Sequence, residues 1–290
     1  MNNLRVGIAQ INPALGDVEK NIEKHRHFLE EAKEKGVQLL LFPELSLTGY
    51  GLDFKTLDVA MRDDAPALYE LARAAEGVHT VIGFVEEGPA AQFYNSSVVV
   101  SRGDILFVHR KINLATYGHL EEGKYFGSGR KVETFTIEAP WVGSILICAD
   151  LWNPALVYLA SLQGATLLLA PTNSALDAVS SEFSNLGGWE IAVRYYSMIY
   201  GMPLLMANRV GSEKGMDYWG GSQIVDPFGK TVVSAENESE QLIIADLDYD
   251  SVRKARHQLP TVRDSDLELV TREINRISDY SGFPPERDTL

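Results

Sequence analysis

Leu4-Arg-Val-Gly-Ile-Ala-Gln10, Asp17-Val-Glu-Lys-Asn-Ile-Glu-Lys-His-Arg-His-Phe-Leu-Glu-Glu-Ala-Lys-Glu-Lys-Gly36 and Val37-Gln-Leu-Leu-Leu-Phe42 succeed one another at the head of the chain. The first is a compact apolar run. The second carries Ile22, Phe28, Leu29 and Ala32 at helical spacing, with Gly36 placed to close the helix, and the third is apolar again. They read as strand, helix, strand. A strand without polar alternation is covered on both faces, so helices are expected on one side of its sheet and a further layer on the other.

Outward from this unit, apolar runs predict further strands over 80–85, 96–100, 105–108, 142–147, 166–170 and 203–207. Helices are expected between them over 65–75, 154–163 and 189–200. Ser101-Arg-Gly-Asp104 and Asp226-Pro-Phe-Gly229 each separate two strands as a hairpin turn does. Helix-linked strands mixed with hairpins specify a layered α/β fold with mixed sheets. No repeat, low-complexity tract or composition break marks a linker, so residues 1–290 are read as one domain. In the charged last forty residues, Asp246-Leu-Asp-Tyr-Asp250 is expected to open a helix, with Arg253, Lys254 and Arg256 suiting the far end of its dipole.

The 290 residues are 45% hydrophobic and 23% charged, ordinary values for a chain that buries a large core. Twenty-six basic against forty acidic residues give a formal charge of −14. Such a surface repels phosphate backbones and anionic lipid, which disfavours nucleic acid and membrane as partners. Its acids are spread over helix faces, as in 17–35, and read as solvation. The chain opens without a signal-like segment, no apolar run is long enough to span a bilayer, and a single cysteine excludes an internal disulfide. A cytoplasmic protein is expected. Asn95-Ser-Ser and Asn237-Glu-Ser match the glycosylation pattern, which has no meaning in that compartment.

That cysteine, Cys148, lies in Gly143-Ser-Ile-Leu-Ile-Cys-Ala-Asp-Leu-Trp-Asn-Pro154, where an apolar strand breaks into polar residues and a proline-initiated helix. A strand-to-helix bend exposes a side chain at the sheet edge and turns backbone N–H groups toward it, which suits a nucleophile and its oxyanion. Taken alone, the residue also reads as an inert thiol ending a core strand. Glu44 follows Leu39-Leu-Leu-Phe-Pro43, where partial desolvation would raise a carboxyl toward the range of a general base. Lys111 follows Phe107-Val-His-Arg110, where its charge could stabilise an attacked carbonyl. Alone, these two read as a strand cap and a surface lysine. All three sit just past the carboxyl ends of predicted strands, where α/β sheets collect catalytic groups.

Together these segments resemble the nitrilase superfamily of carbon-nitrogen hydrolases, whose catalytic residues are a glutamate, a lysine and a cysteine in that order. The matches are Phe42-Pro-Glu44, Arg110-Lys-Ile-Asn-Leu114 and Cys148-Ala-Asp150 followed by Pro154. Tyr117-Gly118, Glu122, Tyr125-Phe126, Asn208-Arg-Val-Gly211, Gly220-Gly-Ser-Gln-Ile-Val-Asp-Pro-Phe-Gly229 and Leu259-Pro-Thr-Val-Arg-Asp264 extend the likeness along nearly the whole chain. The resemblance implies a four-layer α-β-β-α sandwich that pairs through helices near the active site, with the helix at 189–200 contributing. It also implies a homodimer or higher homo-oligomer, with residues 260–290 as an extension used in packing or oligomerisation. Glu122 matches a second family glutamate that helps place the lysine and the substrate.

Departures narrow the chemistry. Ala149-Asp-Leu-Trp152 stands where nitrile-hydrolysing members usually carry Trp-Glu, so the likeness is to the amidase-like branch. Trp152 and Ala155 replace an arginine and a glutamate common in amidases and carbamoylases. Cys148-Ala-Asp-Leu-Trp-Asn-Pro154 also resembles the glutaminase domains of glutamine-dependent NAD synthetases, although the chain has no Ser-Gly-Gly-x-Asp signature.

The expected activity is hydrolysis of a small linear amide through a cysteine thioester, releasing ammonia or an amine. Glu44 would serve as base and then acid, Cys148 as nucleophile, and Lys111 with the backbone N–H of Ala149 as the oxyanion-stabilising pair. Tyr117, Trp152 and Asn173 are expected to bind substrate, and the segment 172–188 to form a flap. No metal or organic cofactor is expected, since His25 and His27 face opposite sides of a helix and the other histidines lack ligand spacing. Acyl transfer or amide formation from the same thioester, and a non-catalytic binding role, are the alternatives.

Overall fold

The computed structural model describes residues 3–279 except Asp177, Ser181 and Asn237. In chain order the elements are β1 (Asn3–Gln10), α1 (Val18–Glu34), β2 (Leu39–Leu41), α2 (Thr56–Val59), α3 (Pro66–Ala75), β3 (His79–Glu87), β4 (Phe93–Ser101) and β5 (Asp104–Arg110). There follow β6 (Thr134–Glu138), β7 (Trp141–Ile145), α4 (Pro154–Leu162), β8 (Leu167–Thr172), α5 (Asn185–Tyr200), β9 (Leu204–Asn208), β10 (Val210–Glu213) and β11 (Met216–Trp219). The chain then runs through β12 (Gln223–Val225), β13 (Thr231–Ser234), β14 (Gln241–Asp248), α6 (Tyr249–Gln258) and α7 (Leu267–Asp279).

Two six-stranded sheets form, in the orders β14-β1-β2-β3-β4-β5 and β13-β12-β9-β8-β7-β6, with β10 and β11 as a separate hairpin. The centre of each sheet is parallel: Val6 lies opposite Leu39 and Leu39 opposite His79, while Ile145 lies opposite Leu169 and Leu169 opposite Leu205. Side-chain alternation along these strands sets the layers. Val6, Ile8, Leu39, Leu41 and Val81 meet Ile145, Leu167, Leu169 and Leu205 in the core between the sheets. Residues one step along, Leu40, Ile82 and Phe84, pack with Phe28 and Leu29 of α1 and Leu68 and Leu71 of α3. Leu146, Leu168, Leu204 and Met206 pack likewise with Val157 of α4 and Trp189 and Val193 of α5. The architecture is the four-layer α-β-β-α sandwich. At about 1.5–3 kcal/mol for each fully buried aliphatic side chain, these three clusters hold the frame rigid beneath its strand ends.

Helix α1 shows why the opening residues fold as they do. The Asp17 carboxylate caps it by accepting from the Lys20 N–H, and Asn21, His25, Phe28, Leu29 and Ala32 form its buried stripe. His25 points inward and His27 outward, as their spacing requires. The two expected hairpin turns are present between β4 and β5 and between β12 and β13.

Several expectations need correction. Of the segment expected to open a helix, Asp246 still lies in β14, while Asp248 caps α6 by accepting from the Asp250 N–H and Asp250 stands in its first turn. Strands β6, β10, β11, β13 and β14 carry mixed polar sequences and sit at sheet edges or in the separate hairpin, so no apolar run announces them. In the expected flap, the described part of the segment is tied down: Ala175 bridges Tyr218, Asn185 Nδ2 donates to the Ala175 carbonyl at 2.6 Å, and the His119 N–H donates to the Ala178 carbonyl at 3.1 Å. Asp177 and Ser181 of that segment, and residues 280–290 of the expected C-terminal extension, lie outside the described residues. Among the described residues no helix is long and apolar enough to cross a membrane.

Candidate active site

Three turns beyond strand ends bring the reactive groups together. Glu44 stands in a tight turn after β2, in which the Ser46 N–H donates to the Pro43 carbonyl and the Leu47 N–H to the Gly83 carbonyl. Gly83 is required there. A Cβ on it would lie 2.2 Å from the Leu45 nitrogen, so only a bare backbone lets β3 pass beneath the turn. Lys111 follows β5 directly, its N–H donating to the Asn95 carbonyl. Cys148 comes three residues after β7 and opens a short 3-10 turn over Cys148–Trp152. Its φ of +46° lies in the left-handed region, a strained conformation for a non-glycine residue that projects the side chain sharply from the bend.

Glu44 and Lys111 are fully buried and Glu122 nearly so. The Lys111 ammonium donates to Glu44 Oε1 at 2.6 Å and to Glu122 Oε1 at 2.7 Å. Glu44 Oε1 also accepts from Asn95 Nδ2 at 2.7 Å, whereas Glu44 Oε2 is buried with no protein partner. Glu122, in a 3-10 turn over Glu122–Lys124, accepts further from the Tyr50 hydroxyl at 2.6 Å and from the Ala115 N–H at 3.0 Å. By accepting from three donors it anchors the lysine.

These contacts set the electrostatics. Burial raises the Glu44 carboxyl above its usual range; Lys111 opposes this and Glu122 adds to it. For Lys111 burial alone would lower the pKa, but Glu122, Glu44 and Cys148 outweigh it and hold the ammonium well above the ordinary lysine range. Burial, followed by Glu44, pushes the Cys148 thiol well up, while Lys111 and the Asn173 backbone N–H pull against that rise. The resting site is therefore a neutral thiol beside a fixed cation and a carboxyl with one uncommitted oxygen. When ionised, such a carboxyl can take a proton on its free oxygen as the thiol attacks.

The structure brings Glu44, Lys111, Glu122 and Cys148 into this one cluster. Asn173 joins it from the end of β8, with its Nδ2 donating to the Glu44 carbonyl at 2.6 Å and its Oδ1 buried without a partner. Ala149 is second in the 3-10 turn, in the first-turn position where N–H groups lack intrahelical acceptors. Tyr117 is 40% exposed beside the site, and burial, then Cys148, raises its phenol pKa. Trp152 belongs to a different environment: its ring lies 4.7 Å from Trp189 and 5.9 Å from Phe183, packed beneath α5, so its placement is that of a half-buried core side chain.

Asn95 and Tyr50 escaped the sequence reading. Asn95 is an amide inside a strand of valines and serines, a residue type depleted from strand interiors, and that mismatch is its one signal. Tyr50 lies six positions beyond Glu44 on the same loop. It also lines a cavity of about 460 Å³ formed by residues of the loops 50–56, 119–126 and 214–216, including Asp53, His119, Glu122 and Met216. The hairpin wall of this cavity is fastened by Glu213, which accepts from the Gly51 N–H and from the buried Arg209, and by an ion pair between Lys214 and Asp53. Among the described residues no group of three or more His, Cys, Asp or Glu side chains is arranged to hold a metal ion.

Residues 5–257 match the family model for carbon-nitrogen hydrolases. A glutamine-dependent NAD(+) synthetase of Thermotoga maritima is 34% identical over 86% of this chain, which spans only 43% of that protein's length. The chain spans about half the length of the curated relatives it matches first. A carbon-nitrogen hydrolase from Helicobacter pylori G27 superposes with a TM-score of 0.81 at 24% identity, over 92% of this chain and 96% of that one, and shares the fold. A mutant amidase from Nesterenkonia sp. AN1, solved with acrylamide added to its active site cysteine, superposes with a TM-score of 0.74 at 26% identity, over 88% of this chain and 98% of that one. Fold and matched sequence together make this chain a member of the carbon-nitrogen hydrolase family, on its nitrilase-superfamily, amidase-like branch.

Proposed function

We propose that the protein hydrolyses a small linear amide through a Cys148 thioester. The observation that carries this reading is the division of labour in the Glu44 carboxyl: Oε1 is held by Lys111 and Asn95, while the buried Oε2 is left uncommitted. Oε2 takes the thiol proton as Cys148 Sγ attacks the amide carbon. The oxyanion is met by the Lys111 ammonium and the Ala149 N–H. Protonated Glu44 returns its proton to the leaving nitrogen, so ammonia or an amine departs. Glu44 then draws a proton from water as the hydroxide attacks the thioester, and the acid leaves with the thiol restored. Tyr117 and Asn173 flank the substrate in this reading, and the cavity beside Glu122 accommodates part of its acyl group.

Glutamine stands first among candidate amides, because the 34%-identical relative is named for its dependence on glutamine. Residues 1–290 would act as one catalytic domain in the cytoplasm, where a free thiol persists. Exposed Ile191, Tyr195 and Met198 on α5, with Leu267, Ile274 and Ile277 on α7, support a homodimer.

The test is ammonia release from glutamine, simple aliphatic amides and N-carbamoyl compounds. Cys148→Ala should abolish it, and Glu44→Gln should lower it about 10²–10⁴-fold. Activity surviving Cys148→Ala removes the mechanism. Hydroxamate formation in the presence of hydroxylamine would show that the thioester is open to an amine, as acyl transfer requires.

A further inference from the structure

Asp150 lies two residues beyond the nucleophile, is fully buried, and has no cation within hydrogen-bonding distance. Its carboxylate is instead surrounded by backbone N–H groups from two segments. Oδ1 accepts from the Asn113 N–H at 2.6 Å and the Ile112 N–H at 3.1 Å, both immediately after Lys111. Oδ2 accepts from the Ile147 N–H at 3.0 Å, immediately before Cys148. The Asp150 N–H returns a bond to the Ile147 carbonyl at 3.0 Å, so Cys148 is enclosed in a turn closed in both directions. His109, two residues before Lys111, faces the same oxygen from 3.7 Å, and its Nε2 has no other partner.

Three converging donors with two directions of approach need an acceptor with both oxygens available. A carboxylate meets that need, whereas an asparagine would turn an NH₂ toward one of the donors and leave both buried groups unsatisfied. The left-handed Cys148 conformation is strained and persists only where its surroundings over-determine it. Asp150 supplies that determination, and by the same contacts fixes the main chain that carries Lys111.

We propose that Asp150 is a positioning residue of the reaction: its carboxylate couples the Cys148 turn to the Lys111 segment, setting thiol, ammonium and oxyanion donors in mutual register. The inference rests on the cysteine-amidase reading above. Thiol and ammonium come from opposite sheets, and no other group described here bonds directly to the backbone beside both.

Asp150→Asn and Asp150→Glu test it, with wild type and Cys148→Ala alongside, once an amide substrate is in hand. Thermal melts report folding; kcat and KM report the reaction; the pH profile of Cys148 alkylation by iodoacetamide reports the thiol's surroundings. Displacement of the reacting groups by an ångström predicts a kcat about 100-fold lower in Asp150→Asn, with KM within about threefold of wild type. The alkylation midpoint should move upward as the thiolate loses its register with Lys111, and Asp150→Glu should fall between the two. Wild-type kcat and an unmoved alkylation profile in a folded variant overturn the proposal. So does failure of both variants to fold, which makes Asp150 a folding determinant only. A wild-type activity indifferent to Cys148→Ala would instead remove the parent mechanism, an outcome read from different samples.

Discussion

The side-chain amide of Asn173 donates to the backbone carbonyl of Glu44 at 2.6 Å. The two residues follow β8 and β2, which occupy equivalent places: read from β14 and from β6, both sheets pair antiparallel, parallel, parallel, antiparallel, antiparallel. One buried bond therefore joins the turn carrying Glu44 in one sheet to the other sheet. Asn173→Ala orphans the carbonyl and should cost about 1–3 kcal/mol in urea denaturation. It should also lower kcat/KM at least tenfold, because the general base then sits on an untethered turn. A variant as stable and active as wild type would show the bond to be incidental.

Lys111 neutralises two carboxylates that are otherwise buried side by side. Lys111→Met removes the cation and leaves both charges uncompensated, an error worth about 3–5 kcal/mol at neutral pH. Acidification protonates Glu44, which burial already raises, and so relieves the repulsion. The stability gap between Lys111→Met and wild type should therefore narrow from pH 7 to pH 5 by chemical denaturation; a constant gap would place the lysine's contribution in packing.

Much of this was legible in sequence, for a physical reason. Glu44, Lys111 and Cys148 each end an apolar run, and a reactive side chain there has nowhere to go but the rim of a sheet. The central strands announced themselves in the same way, since full burial demands unbroken apolar sequence, and α1 did so through apolar residues at helical spacing. What stayed hidden lacks that pressure. The β14 strand is half-exposed and carries Asp246 and Asp248 outward, so its polar end merges with the opening of α6 and no apolar run marks it. Asn95 serves the site from mid-strand through a contact with a residue 51 positions away, which no local pattern encodes. Trp152 read as a pocket wall because it follows the nucleophile, but the bend turns its ring toward Trp189.

Gly118 has a φ of +59°, and a Cβ there would lie 2.1 Å from the Ala178 carbonyl oxygen. The loop bearing Tyr117 is thus pressed against the segment after β8. Gly118→Ala must part them, so KM should rise several-fold while the melting temperature falls by a few degrees. Steady-state kinetics on the amide identified by the screen will decide; an unchanged KM would remove Tyr117 from the substrate's surroundings.

Glu44 is raised above the carboxylate range by burial, and Cys148 well above the thiol range. At neutral pH the resting thiol therefore keeps its proton, and in the proposed mechanism Glu44 removes it. The rate kcat/KM should climb with pH as Glu44 ionises, with a midpoint above the usual carboxylate value near 4. Glu44→Gln should erase that limb and slow alkylation of Cys148 at pH 7. A pH profile with the same rising limb in Glu44→Gln would assign it to another group.

His25 links stability to pH from beneath the site. Its Nδ1–H donates to the Asn21 carbonyl at 2.7 Å, so Nε2 accepts from the Ser46 hydroxyl at 3.0 Å, which itself accepts from the Gly83 N–H. Burial lowers its pKa to about 4, against the Asn21 bond and with help from Lys24. Above pH 6.5 the ring is neutral in both folded and unfolded chains and the titration contributes nothing. Between 6.5 and about 4 the unfolded chain binds the proton and the folded one does not, so stability falls as pH falls. Over that window the loss amounts to about 3 kcal/mol, and below it the ring charges in the fold and its bond to the turn carrying Glu44 reverses, Nε2–H then donating to the Ser46 hydroxyl. In His25→Asn the fall between pH 7 and pH 4 should be shallower than in wild type by about that amount, measured by urea denaturation at each pH. Parallel curves for the two proteins would mean that His25 is not the group that titrates.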